Sequence, residues 1–310
     1  MCNIDVSIIF VNYRTVEMTC DAVRSVFSKT HGLSFEVIVV DNSDDINIFE
    51  NLKNQLLSIS NSIIVINANE NLGFGKGNNL ACNYASGKYL FFLNTDTYLV
   101  NNAIKILYDF MEINPKCGVC GGNLLSKDKE PNTSFFNDKT CILTEIKYLF
   151  GIKKYLYRIL NRRFDFNYSD KPLKIKGYVS GADLMIRKEL FNQIGGFDRD
   201  IFMYYEENLL CYAVQYEMGF DIYSVPTAEI VHFEGGSIKK LSMNQVKESI
   251  NGSFVLFSKI YGKKGGEKYI KLMYYSYSIL YAIAFLNKNK REKMKLFRNA
   301  LLEKREALDK

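Results

Sequence analysis

Short apolar runs alternate with amphipathic ones along the first hundred residues, and each apolar run stops on polar side chains. Residues 6–11 (VSIIFV) end on Asn12, Tyr13 and Arg14, and residues 35–40 (FEVIVV) end on Asp41, Asn42 and Ser43. Residues 62–66 (SIIVI) form another such run, and residues 89–97 (YLFFLNTDT) pass from aromatic and aliphatic side chains to Asn94, Thr95, Asp96 and Thr97. Uninterrupted apolar runs of this length predict strands buried on both faces, the pattern of a parallel sheet covered by helices. The segments between them supply the helices: residues 17–27 set Met18, Ala22, Val23 and Val26 on one side, and residues 48–57 and 80–85 also read as helical. Strand, helix, strand with a polar tip each time is a βαβ crossover, so the chain reads as α/β with a mostly parallel central sheet. Such sheets bind ligands beyond the carboxyl ends of their strands, where Asn12, Asp41, Asn42 and Asp96 converge.

Beyond residue 100 the pattern loosens. Residues 126–176 read as an insertion over the open end of the sheet, with a helix over 143–160. Residues 179–187 (VSGADLMIR) resume a strand, and residues 188–194 make a short helix ended by Gly195 and Gly196. Two adjacent acids, Glu206 and Glu207, follow the aromatic run 202–205 at a predicted helix start. Residues 222–225 and 230–233 read as two strands, the second bringing His232 to the edge of a turn at Gly235 and Gly236. Residues 270–286 are largely apolar with four tyrosines, but Lys271, Ser276 and Ser278 interrupt them and the stretch is short for a membrane span. With the basic stretch 288–298 behind it, an interfacial helix drawn to anionic lipid is one reading. A helix packed on the catalytic domain with a solvated basic end is the other.

Composition narrows the classes. The formal net charge is +6, and +5 of it lies in residues 286–310, so the main body is nearly neutral and offers no nucleic-acid surface. Seven scattered cysteines, an odd number, fit free thiols in a reducing cytoplasm. Cys117 and Cys120 form a C-x-x-C with no second pair, which argues against zinc. The first residues show no signal peptide, so a cytoplasmic location is expected. Three glycines, Gly73, Gly75 and Gly77, within NENLGFGKGNN predict a backbone that leaves helical geometry or approaches a ligand. Their spacing fits neither the phosphate loop nor the dinucleotide fingerprint, which disfavours P-loop and redox Rossmann enzymes.

Asp96 is a lone carboxylate at a ligand-binding edge. A divalent cation bridging it to a diphosphate would be an economical partner. The plainer reading makes it a complement to the dipole of a helix starting near Ala103, with Thr97, Asn101 or Asn102 as N-cap.

Taken in order, these motifs resemble glycosyltransferase family 2, inverting enzymes of GT-A fold that use nucleotide-diphosphate sugars, and especially its rhamnosyltransferase-like members. The resemblance runs from about residue 6 to 237. It implies that Asn12, Tyr13, Asp41 and Asn42 hold the nucleotide, and that the segment containing Asn71, Gly73, Phe74, Gly77, Asn78 and Asn79 flanks the diphosphate. It matches Asn94 and Asp96 to the family's metal motif, with His232 as a second ligand for Mn or Mg; the plainer readings are a structural histidine beside a turn for His232 and a solvated helix start for Glu206 and Glu207. Glu207 matches the second acid of the family's E-[DE]-x-D-L-C helix and becomes the general base, whereas Leu209 stands where an aspartate is expected. The implied organisation is a catalytic domain over 1–240, with a nucleotide half (1–100) and an acceptor half (101–240), followed by a helical extension over 241–310. The implied activity is transfer of a sugar, rhamnose favoured, from a dTDP or UDP donor to a glycan or lipid-linked acceptor, with peripheral contact at the inner face of the membrane. The alternative, carried by Leu209, is a weakened or inactive nucleotide-sugar-binding homologue.

Overall fold

The computed structural model describes residues 4–152, 170–233 and 242–309. It divides into two compact units, one of residues 1–138, 165–199 and 206–237, the other of 139–164, 200–205 and 238–310.

The first unit is built on a nine-stranded sheet. The parallel strands β1 (Val6–Asn12), β2 (Phe35–Asp41), β3 (Ile64–Asn67) and β4 (Tyr89–Leu93) form one half in the order β3-β2-β1-β4. Their alternating side chains feed two cores. Ile8, Phe10 and Phe91 pack with α1 (Val16–Lys29), α2 (Ile46–Ile59) and α4 (Ala103–Ile113). Ile9, Ile38 and Phe92 pack with α3 (Gly73–Cys82), α6 (Lys188–Ile194) and α7 (Glu206–Tyr212) on the other face. The other half contains β5 (Thr97–Leu99), β6 (Cys117–Leu125), β8 (Leu173–Ile175), β10 (Asp183–Arg187) and β11 (Asp221–His232). Here β10 runs antiparallel to β4 and β6, while β11 is parallel to β6 and antiparallel to β5 and β8. A small separate ribbon pairs β7 (Phe135–Phe136) with β9 (Tyr178–Val179).

Several expectations change here. The apolar run beginning at Tyr89 ends as a strand at Leu93, and Thr97–Leu99 forms a separate strand beside β11. Helix α4 starts at Ala103 behind Asn102, whose amide is occupied by the His31 backbone, donating to its carbonyl at 3.0 Å and accepting from its N–H at 3.2 Å. Asn102 thus sits at the N-cap position, as one expectation had it, without capping through its side chain, and Asp96 is separated from the helix's first turn by the strand Thr97–Leu99. The glycine segment is helical: α3 begins at Gly73 instead of near residue 80. The two strands read at 222–225 and 230–233 are one, β11, with a register irregularity between Ser224 and Glu229. Strand β6 has no counterpart in the sequence reading. The predicted turn at Gly235 and Gly236 and the end of the helix predicted over 143–160 lie outside the described residues.

The second unit consists of α5 (Ile142–Leu149), α8 (Met243–Tyr261), α9 (Lys263–Ile283) and α10 (Lys288–Leu308). A capping box opens α8, with the Gln245 N–H donating to Ser242 Oγ at 3.2 Å and the Ser242 N–H to Gln245 Oε1 at 2.9 Å. Tyr277 of α9 and Phe297 of α10 stack with ring centres 4.8 Å apart. No described helix is long and apolar enough to cross a membrane.

Candidate active site

Because β1, β2 and β4 are parallel neighbours, their polar tips meet at one edge of the first unit. Asn12 and Asp41 face each other in register, and the Asn12 amide donates to Asp41 Oδ1 at 2.7 Å and to Ser43 Oγ at 3.2 Å. Its carbonyl oxygen accepts from the Thr15 N–H at 3.2 Å, the Thr15 hydroxyl at 3.0 Å and the Thr19 hydroxyl at 2.8 Å. Both amide protons and the oxygen are thus committed inside the protein. Asn12 shapes the turn between β1 and α1, and its side chain has no donor left for a ligand. Asp41 is buried and also accepts from the Ser43 N–H at 3.2 Å. Asn42 is buried too, donating to the Gly73 carbonyl at 2.9 Å, while its own Oδ1 has no partner. Tyr13 alone of these four is open, 47 % exposed, with the Arg14 guanidinium 5.7 Å from its ring centre. An exposed ring at the strand edge suits stacking on a nucleobase.

The glycines of α3 serve packing. A methyl group on Gly77 would stand 3.0 Å from Asn42 Nδ2 and from Val11 Cγ1, and one on Gly75 would stand 3.1 Å from Phe197 Cβ and 3.3 Å from Glu206 Cγ. Gly73 has φ +78°, which a side chain rarely adopts. Asn78 is buried and donates to the Phe74 carbonyl at 2.9 Å. Asn79 exchanges two hydrogen bonds with the Phe197 backbone, at 2.8 and 2.9 Å, clipping the segment after α6 onto α3. Asn79, expected with its segment to flank the diphosphate, instead has its side chain engaged by the Phe197 backbone.

Beyond β4 the chain turns through Asn94, Thr95 and Asp96. The Asn94 N–H donates to the Ala182 carbonyl at 3.0 Å, the Thr97 hydroxyl donates to the Asn94 carbonyl at 2.7 Å, and the Thr95 and Thr15 hydroxyls are 3.2 Å apart. Antiparallel pairing of β5 with the end of β11 sets His232 opposite Thr97. The Phe233 N–H donates to the Asp96 carbonyl at 3.0 Å, and His232 Nε2 lies 3.2 Å from Asp96 Oδ1. Both side chains are mostly covered yet reach the surface. The 3.2 Å separation is that of an ordinary imidazole–carboxylate contact; two ligands at about 2.1 Å on adjacent corners of an octahedral ion stand about 3.0 Å apart, so the same two side chains could also share one cation. Among the described residues no group of three or more His, Cys, Asp or Glu gathers in this way. A cation held by Asp96 and His232 would therefore draw its other ligands from water and from phosphate oxygens, the arrangement typical of hard divalent ions at diphosphates.

The two acids open α7. Glu206 is buried, takes a hydrogen bond from the Gly75 N–H, and leaves Oε1 without a partner. Glu207 lies over Gly181, where a methyl group would stand 3.6 Å from its carboxyl carbon. Burial pushes both carboxyls above the ordinary glutamate range, and the charge of Glu207 pushes Glu206 further. With Glu206 buried and Glu207 half-buried beside it, ionisation of one disfavours ionisation of the other. Gly181 adjoins Ala182, whose carbonyl accepts from the Asn94 N–H, so Glu207 lies beside the stretch of backbone that also holds the Asn94–Asp96 turn. Leu209 is half-buried.

A solvated helix start does not describe Glu206, which is buried beside Gly75. Asp183 was not among the expected site residues. It is buried, its Oδ2 accepts from the Gly122 N–H at 2.6 Å, and its Oδ1 is unpartnered. Burial raises its pKa well above the carboxylate range.

The sheet is thus an open α/β one, with the Asp96–His232 pair beyond the end of β4 and at the end of β11 and the Glu206–Glu207 pair opening α7. Residues 7–195 match the model of Glycosyl transferase family 2, and the chain belongs to that family. It is 24 % identical over 217 residues to the low-salt glycan biosynthesis hexosyltransferase Agl10 of Haloferax volcanii, which covers 69 % of this chain and 62 % of that protein. A segment of 69 residues is 36 % identical to the N-acetylglucosaminyl-diphospho-decaprenol L-rhamnosyltransferase of Mycobacterium tuberculosis, 22 % of this chain and 21 % of that one. The matches thus span less than two thirds of these relatives. Among solved structures, the mannosyltransferase PcManGT of Pyrobaculum calidifontis, in complex with GDP-Man and Mn2+, superposes with a TM-score of 0.59 at 13 % identity, over 97 % of this chain and 86 % of that chain. GalNAc-T7 with UDP, GalNAc and Mn2+ superposes with a TM-score of 0.58 at 15 % identity, over 86 % of this chain and 55 % of that chain. At such identity these two likenesses speak for the fold.

Proposed function

We propose that this chain transfers a hexose, with inversion, from a nucleoside-diphosphate sugar to a hydroxyl of a glycan or lipid-linked acceptor. The observation that supports the reading is that Glu207 lies beside Gly181, next in the chain to Ala182, whose carbonyl holds the turn leading to Asp96. Inversion needs a base on one face of the sugar carbon and charge stabilisation for the leaving diphosphate on the other. Glu207, in its ionised form, takes the proton of the acceptor hydroxyl, a role worth ~10²–10⁴-fold, while Glu206 beside it retains a proton. Asp96 and His232 hold Mn or Mg, which when bound offsets the charge of the departing diphosphate. Tyr13 stacks on the base of the nucleotide, dTDP or UDP, and the buried Asn12, Asp41, Asn42, Gly73 and Asn78 keep the backbone around it in place. The partial match to a rhamnosyltransferase supports rhamnose as the sugar. A second reading, a nucleotide-sugar-binding homologue with weakened turnover, draws on Leu209. The test is a thermal-shift panel of nucleotide sugars with and without Mn2+, since a ligand bound only by the folded state raises Tm. The parent should shift most with one donor plus Mn2+, and Asp96→Asn should lose the metal-dependent part. An equal shift with and without Mn2+ in both proteins would remove Asp96 from the site.

The same proposal places the enzyme at the inner face of an anionic membrane. Tyr275, Ile279 and Ile283 recur every four residues along α9, each more than half exposed, and Leu286 just beyond is 87 % exposed. Lys288, Lys290, Arg291, Lys293 and Lys295 follow, all exposed. An apolar stripe beside a basic cluster fits an interfacial helix. Co-sedimentation with phosphatidylglycerol vesicles should be strong at low salt and weaken at high salt, and its absence at low salt would refute this placement.

A further inference from the structure

The helical unit contains a cluster of chemistry that sugar transfer, as derived above, does not use. A cavity of about 280 Å3 lies among α5, α8, α9 and α10, with Tyr205 in its wall. Glu145 of α5 lines it, and burial pushes the carboxyl up to about 7. Its one hydrogen bond is a long one, from the Tyr205 hydroxyl at 3.5 Å. The described wall carries no lysine, arginine or histidine to answer the carboxylate, but it does carry Tyr148, Tyr205, Tyr269, Tyr277 and two serines. Two of these rings are fixed by aromatic neighbours: Tyr269 lies 4.3 Å from Phe257 and Tyr277 4.8 Å from Phe297, between ring centres. The Tyr205 side chain is set by strained backbone, since Tyr204 and Tyr205 have φ of 71° and 74°. Bulky residues hold that conformation only where the surroundings impose it. Gly252 of α8 makes room for the turn, because a methyl there would collide with the Tyr204 carbonyl oxygen.

We propose that this cavity is a binding subsite for one pyranose unit, held between tyrosine rings with its hydroxyls donating to Glu145. The volume falls just below the ~300–1,000 Å3 of sites for drug-sized ligands, which suits a single ring. An anion such as phosphate would meet a carboxylate and no cation. A purely apolar guest would leave the buried Glu145 carboxyl in contact with hydrocarbon, which is costly. A compact amine would satisfy the carboxylate alone, whereas a sugar ring also offers hydroxyls to the tyrosines and serines and C–H faces to the rings. Fixed rings and a fixed turn lower the ordering cost of binding. Assigning this sugar to the acceptor rests on the transferase reading; the binding itself does not.

Saturation-transfer NMR and calorimetric titration of the full chain with methyl glycosides of rhamnose, glucose, galactose and N-acetylglucosamine, and with putrescine as the amine, test this. At least one glycoside should bind saturably at millimolar concentration. Glu145→Gln should weaken it roughly ten- to a hundredfold, as loss of hydrogen bonds to a charged acceptor implies. Tyr269→Phe, which keeps the ring and removes one hydroxyl, should weaken it less and serves if Glu145→Gln does not fold. Thermal shifts by nucleotide sugars should be the same in parent and both variants. A parent that responds to nucleotide sugars but binds no glycoside, or binds putrescine instead, overturns the subsite while leaving the transferase reading intact. Unchanged glycoside affinity in both variants overturns it as well.

Discussion

Asn12 was expected to touch the donor, yet every polar atom of its amide is spent inside the protein, and an isosteric change tests that role. In Asn12→Asp the 2.7 Å contact from Nδ2 to Asp41 Oδ1 becomes a contact between two carboxylate oxygens. Two unit charges at that distance repel by about 6 kcal/mol at an effective dielectric of 20. The pair has a cheaper course, which is to keep one proton. Holding a carboxyl of ordinary pKa ~3.9 protonated costs about 4.2 kcal/mol at pH 7 and about 1.5 kcal/mol at pH 5. The proton uptake therefore caps the damage near 4 kcal/mol at pH 7. The sign follows from linkage: the folded variant binds one more proton than its unfolded chain above pH ~4, so its stability falls by about 1.4 kcal/mol per pH unit as pH rises. Urea melts of parent and variant at pH 5, 6 and 7 read the difference directly. A stability gap that is small, or that does not widen with pH, would mean that Asn12 and Asp41 are not bonded as described and that Asn12 is free to serve a ligand.

Glu207→Gln should fold and keep its donor-induced thermal shift while losing ~10²–10⁴-fold in turnover; transfer at the parental rate would move the base elsewhere. Leu209→Asp should raise turnover, and a rate no higher than the parent's would mean that Leu209 does not weaken the site. Glu206 holds its proton in the folded state through burial and the Glu207 charge, so its contribution is favourable at low pH and is lost as pH rises above the ordinary glutamate range, ~4.3. Glu206→Gln should accordingly gain stability relative to the parent between pH 5 and pH 8, and a pH-independent difference in urea melts would contradict the buried, protonated state.

The nucleotide half was legible because its strands are locally self-evident. Runs such as VSIIFV are apolar on both faces and stop on polar residues, and that pattern needs no distant partner to interpret. Strand β6 is the opposite case. CGVCGGNLL has three glycines and little β-branched content, poor strand chemistry by local preference, yet all of it is buried. Its glycines answer to distant neighbours: a methyl on Gly122 would collide with the Ala228 carbonyl, and one on Gly118 would stand 2.8 Å from Phe220 Cβ. The same holds for α3, where each glycine costs ~1 kcal/mol of helix propensity against alanine and is kept for contacts with Asn42, Phe197 and Glu206. In the site, Asp96 could be placed from its strand, whereas the approach of His232 depends on the pairing of β5 with β11, which no spacing in the chain discloses. The burial of Glu206 was hidden for the same reason.

The position of β11 bears on how small a working piece of this protein can be. The stretch matched to the family ends at residue 195, which includes Asp96 but neither Glu207 nor His232. Strand β11 lies alongside β6, β8 and β5, so a chain shortened to that boundary would lose the central support of the far half of the sheet along with the two side chains. It would expose the Cys117–Leu125 backbone as a long, glycine-rich, apolar edge, an invitation to pair with other copies. Trimming to the recognisable stretch should yield inclusion bodies instead of a minimal nucleotide-binding fragment.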